Sequence, residues 1–297
     1  MSEQEKCPSD ASCGTCQSAG GCDANAQRIH TEELLKEKLS RIKYRVVVMS
    51  GKGGVGKSTV AVNLAVALAR KGHSVGVLDG DVHGPNVPKL LGVDDVRPSM
   101  SPLGLTPVAS RDNVKVISMA LLLDDPDTPV AWRGPMKHNL FQQFLSDVDW
   151  GDLDFLVVDL PPGTGDEPMS IAQILGQPLW AVIVTTPQDV ALLDSRKSVV
   201  FARSVDMNVV GIVENMSGFV CPKCGETIDL FKRGGGERAS RDLMVPFLGA
   251  IPLDPEIVLC GDAGKSLPNE ANSSATANAI QNVADGIFRA VTGGTVK

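Results

Sequence analysis

Residues 45–58 read RVVVMSGKGGVGKS, an apolar run that breaks into glycines. Arg45 to Ser50 has the near-continuous hydrophobicity of a strand covered on both faces, and Val60 to Arg70 beyond the break carries Ala and Leu at helical spacing. Between them Gly51 to Ser58 fits G-x-x-x-x-G-K-[ST], in the strand-loop-helix setting that the pattern needs. Such a loop cradles phosphate. Its glycines let backbone N–H groups curl round the anion, and the helix N-terminus adds positive potential. Lys57 neutralises the β and γ phosphates, and Ser58 offers a hydroxyl to Mg²⁺.

Further apolar runs flank this unit: Val75 to Leu78, which ends at Asp79, then Val114–Met119, Phe155–Asp159, Trp180–Thr185, Val209–Val213 and Phe247–Ile251. Helical stretches separate them. This pattern predicts βαβ units in a doubly wound, mostly parallel α/β sheet, and one domain over residues 44–297 accounts for all of the runs. Upstream, His30 to Lys43 reads as a short amphipathic helix opened by Thr31, a connector over residues 29–43. Residues 1–28 are Ser, Gly, Ala, Asp and Cys with almost no aliphatics, so packing cannot order them. Near the C-terminus Ile280, Val283, Ala284, Ile287, Phe288 and Val291 form one apolar stripe. With Arg289 as its only basic residue, a core-packing helix is expected there rather than a membrane-surface one.

The 28 Lys and Arg against 35 Asp and Glu leave a formal charge of −7, which argues against non-specific binding of nucleic acid or anionic membrane. Thirty glycines with 4% aromatics favour a phosphate-handling α/β protein over an aromatic-rich carbohydrate binder. Met1 to Ala11 shows no leader, and no apolar run approaches about 18 residues, so a reducing cytoplasmic setting is expected.

In that setting the seven cysteines read as ligands rather than disulfides. Cys7, Cys13, Cys16 and Cys22 crowd the first 22 residues, Cys221 and Cys224 form C-P-K-C-G, and Cys260 stands apart as a small packed thiol. A C-x-x-C places two thiolates on one ion or cluster, whereas closed zinc or an all-thiolate iron–sulfur cluster needs four. A twofold dimer would supply two plus two. Structural zinc and a thioredoxin-like redox pair are the alternatives. The four histidines are scattered without metal spacing, and His83 reads as a surface or packing residue.

Lys52 occupies the position of the second lysine in the deviant Walker A motif of the group containing ParA, MinD, Mrp and the nitrogenase iron protein. Together G-K-G-G-V-G-K-S-T, D-G-D-V-H-G-P-N, W-R-G-P-M (Trp132–Met136), D-L-P-P-G-T-G-D, E-N-M-S-G and the late C-P-K-C resemble the Mrp/ApbC/Nbp family of iron–sulfur scaffold ATPases over roughly residues 44–265. The resemblance implies that ATP contacts Gly51, Lys52, Gly53, Gly54, Val55, Gly56, Lys57, Ser58 and Thr59, with Lys52 reaching the partner's nucleotide. It further implies that Asp79 and Asp159 support Mg²⁺ and that Asp81 orients the attacking water. The Gly163 N–H would sense the γ-phosphate, Asn215 would contact adenine, and Pro252 and Asp254 would line base and ribose. It implies a homodimer that shares a 4Fe–4S cluster on Cys221 and Cys224 and passes it to apoproteins. The Cys7-x5-Cys13-x2-Cys16-x5-Cys22 segment is similar to the extension of the Nbp branch, which holds a second 4Fe–4S cluster in each chain. Its first gap is shorter than that branch's eukaryotic pattern. The expected function is thus an ATP-dependent cluster carrier. The alternative is a MinD/ParA-type positioning ATPase with structural zinc. An electron-transfer reductase would need cysteines between Cys22 and Cys221, where the sequence has none.

Overall fold

The structure is a computed structural model that describes residues 24–123, 125, 134–221, 223–267 and 274–293. Strand β1 (Ile42–Met49) shows why its sequence is apolar on consecutive positions. Val46 and Val48 enter one hydrophobic core, Val47 and Met49 enter a second, and all four are buried. A strand covered on both faces has no polar side to show.

The chain begins with α1 (Ala24–Ser40) and β1, then α2 (Lys57–Arg70), β2 (Val75–Asp79) and α3 (Val87–Leu91). A hairpin of β3 (Ser99–Ser101) and β4 (Gly104–Thr106) precedes β5 (Val108–Ala109), β6 (Lys115–Ile117) and α4 (Gly134–Ser146). Then come β7 (Leu153–Asp159), α5 (Asp166–Leu175), β8 (Trp180–Thr185) and α6 (Asp189–Ser204). The rest is β9 (Asn208–Val220), β10 (Thr227–Ile228), α7 (Gly235–Leu243), β11 (Phe247–Leu253), α8 (Pro255–Asp262) and α9 (Ala275–Thr292).

Among the described residues the main sheet runs β10-β9-β8-β1-β7-β2-β6-β5, with β11 also on β9. All pairings are parallel except those of β10 and β5 at the two edges. One core lies under α2 and α9, the other under α4, α5 and α6, so the sheet is covered on both faces as expected. The stripe of α9 is spent on this packing: Ile280, Val283, Ala284, Ile287 and Val291 are all buried. No helix among the described residues is long and apolar enough to cross a membrane.

Strand ends shift by one or two residues in several places, and three larger differences from the sequence reading bear on the site. Helix α1 starts at Ala24 and closes at Ser40, so β1 begins at Ile42, inside the range read as connector. Leu34 is buried and Leu35 and Leu39 pack against the core under α4, which docks α1 on the domain. Helix α2 starts at Lys57 rather than Val60, directly behind the glycine loop. Strand β9 does not stop at Val213 but continues to Val220. Its polar second half hid it, because Glu214, Asn215 and Ser217 read as loop while in fact they are buried.

Candidate nucleotide site and dithiol knuckle

The C-terminal ends of parallel strands in an open α/β sheet form a ligand crevice, and β1, β7 and β2 end together here. The loop after β1 has Gly54 and Gly56 at φ +79° and +78°, a region that favours glycine. Gly51 is required for space instead, since a Cβ there would stand 2.2 Å from the backbone carbon of Asp194 in α6. Val55 is buried and pins the loop to the core. Gly56 caps α2 without any side-chain acceptor, so the first amides of the helix face the cleft. That cleft has a volume of about 330 Å³ and is lined by Ser50, Lys52, Gly53, Gly54 and Gly56 to Thr59 of the loop together with Asp81, Asn86, Lys89, Pro162 and Asp262. Lys52 is half-buried in its wall.

Beneath the loop, Lys57 Nζ donates to Asp159 Oδ1 at 2.6 Å, and both side chains are buried. Asp159 is register partner to Asp79, the last residue of β2. Asp79 accepts from Ser118 Oγ at 2.9 Å and from the Asp81 and Val87 N–H groups at 3.2 and 3.3 Å. Burial and the neighbouring Asp159 charge push the Asp79 carboxyl well above the ordinary aspartate range. Burial likewise raises Asp159, against the pull of Lys57. Two buried carboxylates thus face one ammonium, and Asp159 Oδ2 has no hydrogen-bond partner. A hard divalent cation fits this arrangement. Asp159 Oδ2 and the Ser58 hydroxyl beside it are oxygen donors of the kind Mg²⁺ takes, mostly through water. No three His, Cys, Asp or Glu among the described residues are grouped as a direct metal site.

At the far end of β9 the chain turns into β10 through Cys221 and Cys224. The Cys221 N–H donates to Glu226 O at 2.9 Å and the Gly225 N–H to Cys221 O at 2.8 Å, with Gly225 at φ +72° closing the turn. N–H groups of Cys224 and Lys223 turn toward Cys221 Sγ and hold its thiol below the usual range. Cys224 is exposed. The turn thus brings two free thiols together, where a closed tetrahedral metal site needs four donors.

A family model described as NUBPL iron-transfer P-loop NTPase, of the ParA group, matches residues 41–288. The chain belongs to this family. It is 49% identical over 256 residues to the iron-sulfur cluster carrier protein of Methanocaldococcus jannaschii, covering 86% of this chain and 88% of that one. With the iron-sulfur cluster carrier protein of Saccharolobus solfataricus the identity is 45% over 266 residues, covering 89% and 90%. Among solved structures, the nucleotide-binding protein of Archaeoglobus fulgidus in complex with ADP superposes with a TM-score of 0.71 at 41% identity, covering 79% of this chain and 91% of that one. The cell division ATPase MinD of Pyrococcus furiosus superposes at 0.58 and 27% identity, covering 83% and 98%.

Within this NUBPL-type framework the structure gathers Gly51 to Thr59, Asp79, Asp81 and Asp159 at one crevice, and it moves four other expectations. The Gly163 N–H, expected to face a γ-phosphate, donates to Ser50 O at 2.8 Å. The Asn215 amide, expected on adenine, donates to Val55 O at 2.9 Å and so braces the P-loop. Asp254 caps α8, its Oδ1 accepting from the Glu256 N–H at 2.9 Å, and Pro252 lies within β11; neither lines the cleft. His83 is bound to Lys137. Cys260 is partly buried against the core, and its thiol is pushed up by burial and by Glu256. Cys7, Cys13, Cys16 and Cys22 lie outside the described residues, as do Trp132 and Arg133 of the W-R-G-P-M motif. The sequence reading missed Lys89 and Asp262, which no motif spacing marks, and it quoted Asn86 only as the end of D-G-D-V-H-G-P-N, without a contact of its own.

Proposed function

We propose that the chain binds and slowly hydrolyses ATP as a homodimer, assembles a 4Fe–4S cluster at the twofold interface and passes it to apo iron–sulfur proteins. The observation that carries this reading is the half-complete knuckle at the end of β9, the strand whose Asn215 holds the P-loop. Two copies supply the four thiolates that a cluster needs. The names of the archaeal relatives support the cargo. Exposed apolar side chains support the contact face. Val190 and Leu193 stand on α6 beside the P-loop, and Val220, Ile228 and Leu230 stand around the knuckle.

In this reading the P-loop amides and Lys57 hold the phosphates, and Lys52 completes the partner's site. Ser58, Asp159 and, behind it, Asp79 would hold Mg²⁺, which neutralises charge developing on the phosphates. Asp81 orients the attacking water. The Gly163 N–H must leave Ser50 O to meet a γ-phosphate, and this exchange reports nucleotide state to the loop after β7. Residues 1–28 are read as a cluster-binding extension, in which Cys7, Cys13, Cys16 and Cys22 hold a second 4Fe–4S cluster per chain. The connector read at 29–43 is then α1, which joins the extension to an ATPase domain that starts with β1 at Ile42. A reducing cytoplasm suits six clustered thiols. The acidic balance argues against non-specific binding of nucleic acid or anionic membrane.

Anaerobic reconstitution tests the cargo. Wild-type protein should show broad thiolate-to-iron visible absorption, and a Cys221→Ser/Cys224→Ser variant should lose the portion equal to one cluster per two chains. Stoichiometric zinc with no uptake of iron would sink the reading. The likeness to MinD is one of fold, and co-sedimentation with liposomes or DNA in ATP would be the mark of a positioning ATPase instead.

A further inference from the structure

Lys137 is placed where elementary rules disfavour it. It lies in the first turn of α4, at the positive end of the helix dipole, and its side chain is 9% exposed. A buried ammonium must recover its lost hydration from its partners, and an apolar side chain of similar length would be as stable there. Its partners come from two other segments. Nζ bonds to Glu167 Oε1 in the first turn of α5, and it stands 2.5 Å from His83 Nε2 in the loop after β2. His83 Nε2 is itself 3.8 Å from Glu167 Oε1, so the three groups form one cluster.

The position of the cluster gives it meaning. His83 lies two residues beyond Asp81, and Glu167 four beyond Gly163, so Lys137 ties the loop that carries Asp81 to the loop that carries Gly163. At their bases these loops are already joined by the Gly80 N–H to Asp159 O, at 2.8 Å. Lys137 joins them again farther out. Lys137 does not line the phosphate cleft, so it cannot touch the nucleotide from here.

We propose that Lys137 is a positioning residue for ATP hydrolysis, a clamp that through His83 and Glu167 makes the loops after β2 and β7 move as one unit on the γ-phosphate. The inference rests on the ATPase reading of the crevice. Neither loop orders the attacking water alone, because Asp81 comes from one and the γ-phosphate contact from the other. A misplacement of about 1 Å between them costs up to about a hundredfold in rate while leaving ground-state binding intact.

Steady-state ATPase kinetics on the full chain, with folding checked by circular dichroism, test the clamp. Lys137→Met and Glu167→Gln should each lower kcat about tenfold or more with KM within about threefold, and Lys137→Arg should recover part of the loss. The double variant should be no slower than the worse single one, because the clamp is already open. Amide exchange should show ATP protecting residues 81–86 and 163–166 together in the wild type and separately in Lys137→Met. Wild-type kcat in folded Lys137→Met, or losses that multiply in the double variant, would overturn the clamp alone. If Lys137→Met does not fold, Glu167→Gln and His83→Gln decide by the same criteria. Absence of hydrolysis by the wild type would overturn the ATPase reading and the clamp with it.

Discussion

Asp159 shows how one side chain sets the demands of the site. One oxygen is spent on Lys57 and the other is buried without a partner, beside a second carboxylate in register. A group in that state gains most from a cation, so Mg²⁺ should add stability only where Asp159 can meet it. In thermal melts, ADP with Mg²⁺ at about a hundred times Kd should stabilise the wild type by about 2.7 kcal/mol relative to the unliganded protein. Chelation should remove much of that gain, and Asp159→Asn should show no difference with and without chelator. An equal response to Mg²⁺ in the variant would contradict this account of the orphan oxygen. The glycines separate by the same kind of argument. Gly51→Ala drives a Cβ to within 2.2 Å of backbone in α6, whereas a Cβ at Gly53 would meet only Pro162 at 4.0 Å. Gly51→Ala should therefore lower the melting temperature of the nucleotide-free protein, by about 1–3 kcal/mol in stability, and Gly53→Ala should leave it nearly unchanged. At this scale the motif residues were legible because spacing along the chain fixes them. Lys137, His83 and the brace from Asn215 to Val55 were not, because each depends on residues from separate segments meeting in space.

Strand β9 is the element that links nucleotide and thiols. Asn215 grips the P-loop from one side, and six residues on, at about 3.3 Å per residue, the same strand delivers Cys221. Next to Asn215, the buried Glu214 accepts from Ser217 Oγ at 2.5 Å, from the Gly234 N–H at 2.9 Å and from the Gly236 N–H at 2.5 Å. It thereby fastens the return of the knuckle hairpin and caps α7, which has no side-chain cap of its own. Glu214→Gln turns one accepting oxygen into a donor facing an N–H, at a cost of about 1.5–3 kcal/mol. Chemical denaturation should show that loss, and iron retained after reconstitution should fall with it. Unchanged stability would mean that Glu214 does not brace the hairpin. Strands whose two faces are both apolar announced themselves in the sequence, Trp180–Thr185 with both of its ends. The second half of β9 did not, because its buried polar groups are satisfied by contacts that no local pattern encodes, and the hairpin of β3 and β4 is too short to carry a period.

At the scale of the molecule the two incomplete features imply the same assembly. In the proposed reading Cys221 and Cys224 are half of a ligand set, and Lys52 is a cation in the wall of a cleft that already has Lys57 among its lining. A homodimer in which Lys52 crosses the interface makes a quantitative demand. Take Lys52→Ala and Asp81→Ala variants, each inactive alone. In a mixed dimer the Lys52→Ala chain keeps its own Asp81 and receives Lys52 from its partner, so its site is whole, while the other site lacks both groups. Random exchange makes half of the dimers mixed with one whole site each, so mixing two dead proteins should restore about a quarter of wild-type ATPase activity. If Lys52 served its own nucleotide, every site in every dimer would lack one group and mixing would restore nothing. Adding Cys221→Ser to one of the two chains sharpens the result. The restored sites should still hydrolyse ATP, while the mixed dimers, left with three of four interface thiolates, should hold the shared cluster poorly, which separates completion of the nucleotide site from completion of the knuckle within one assembly.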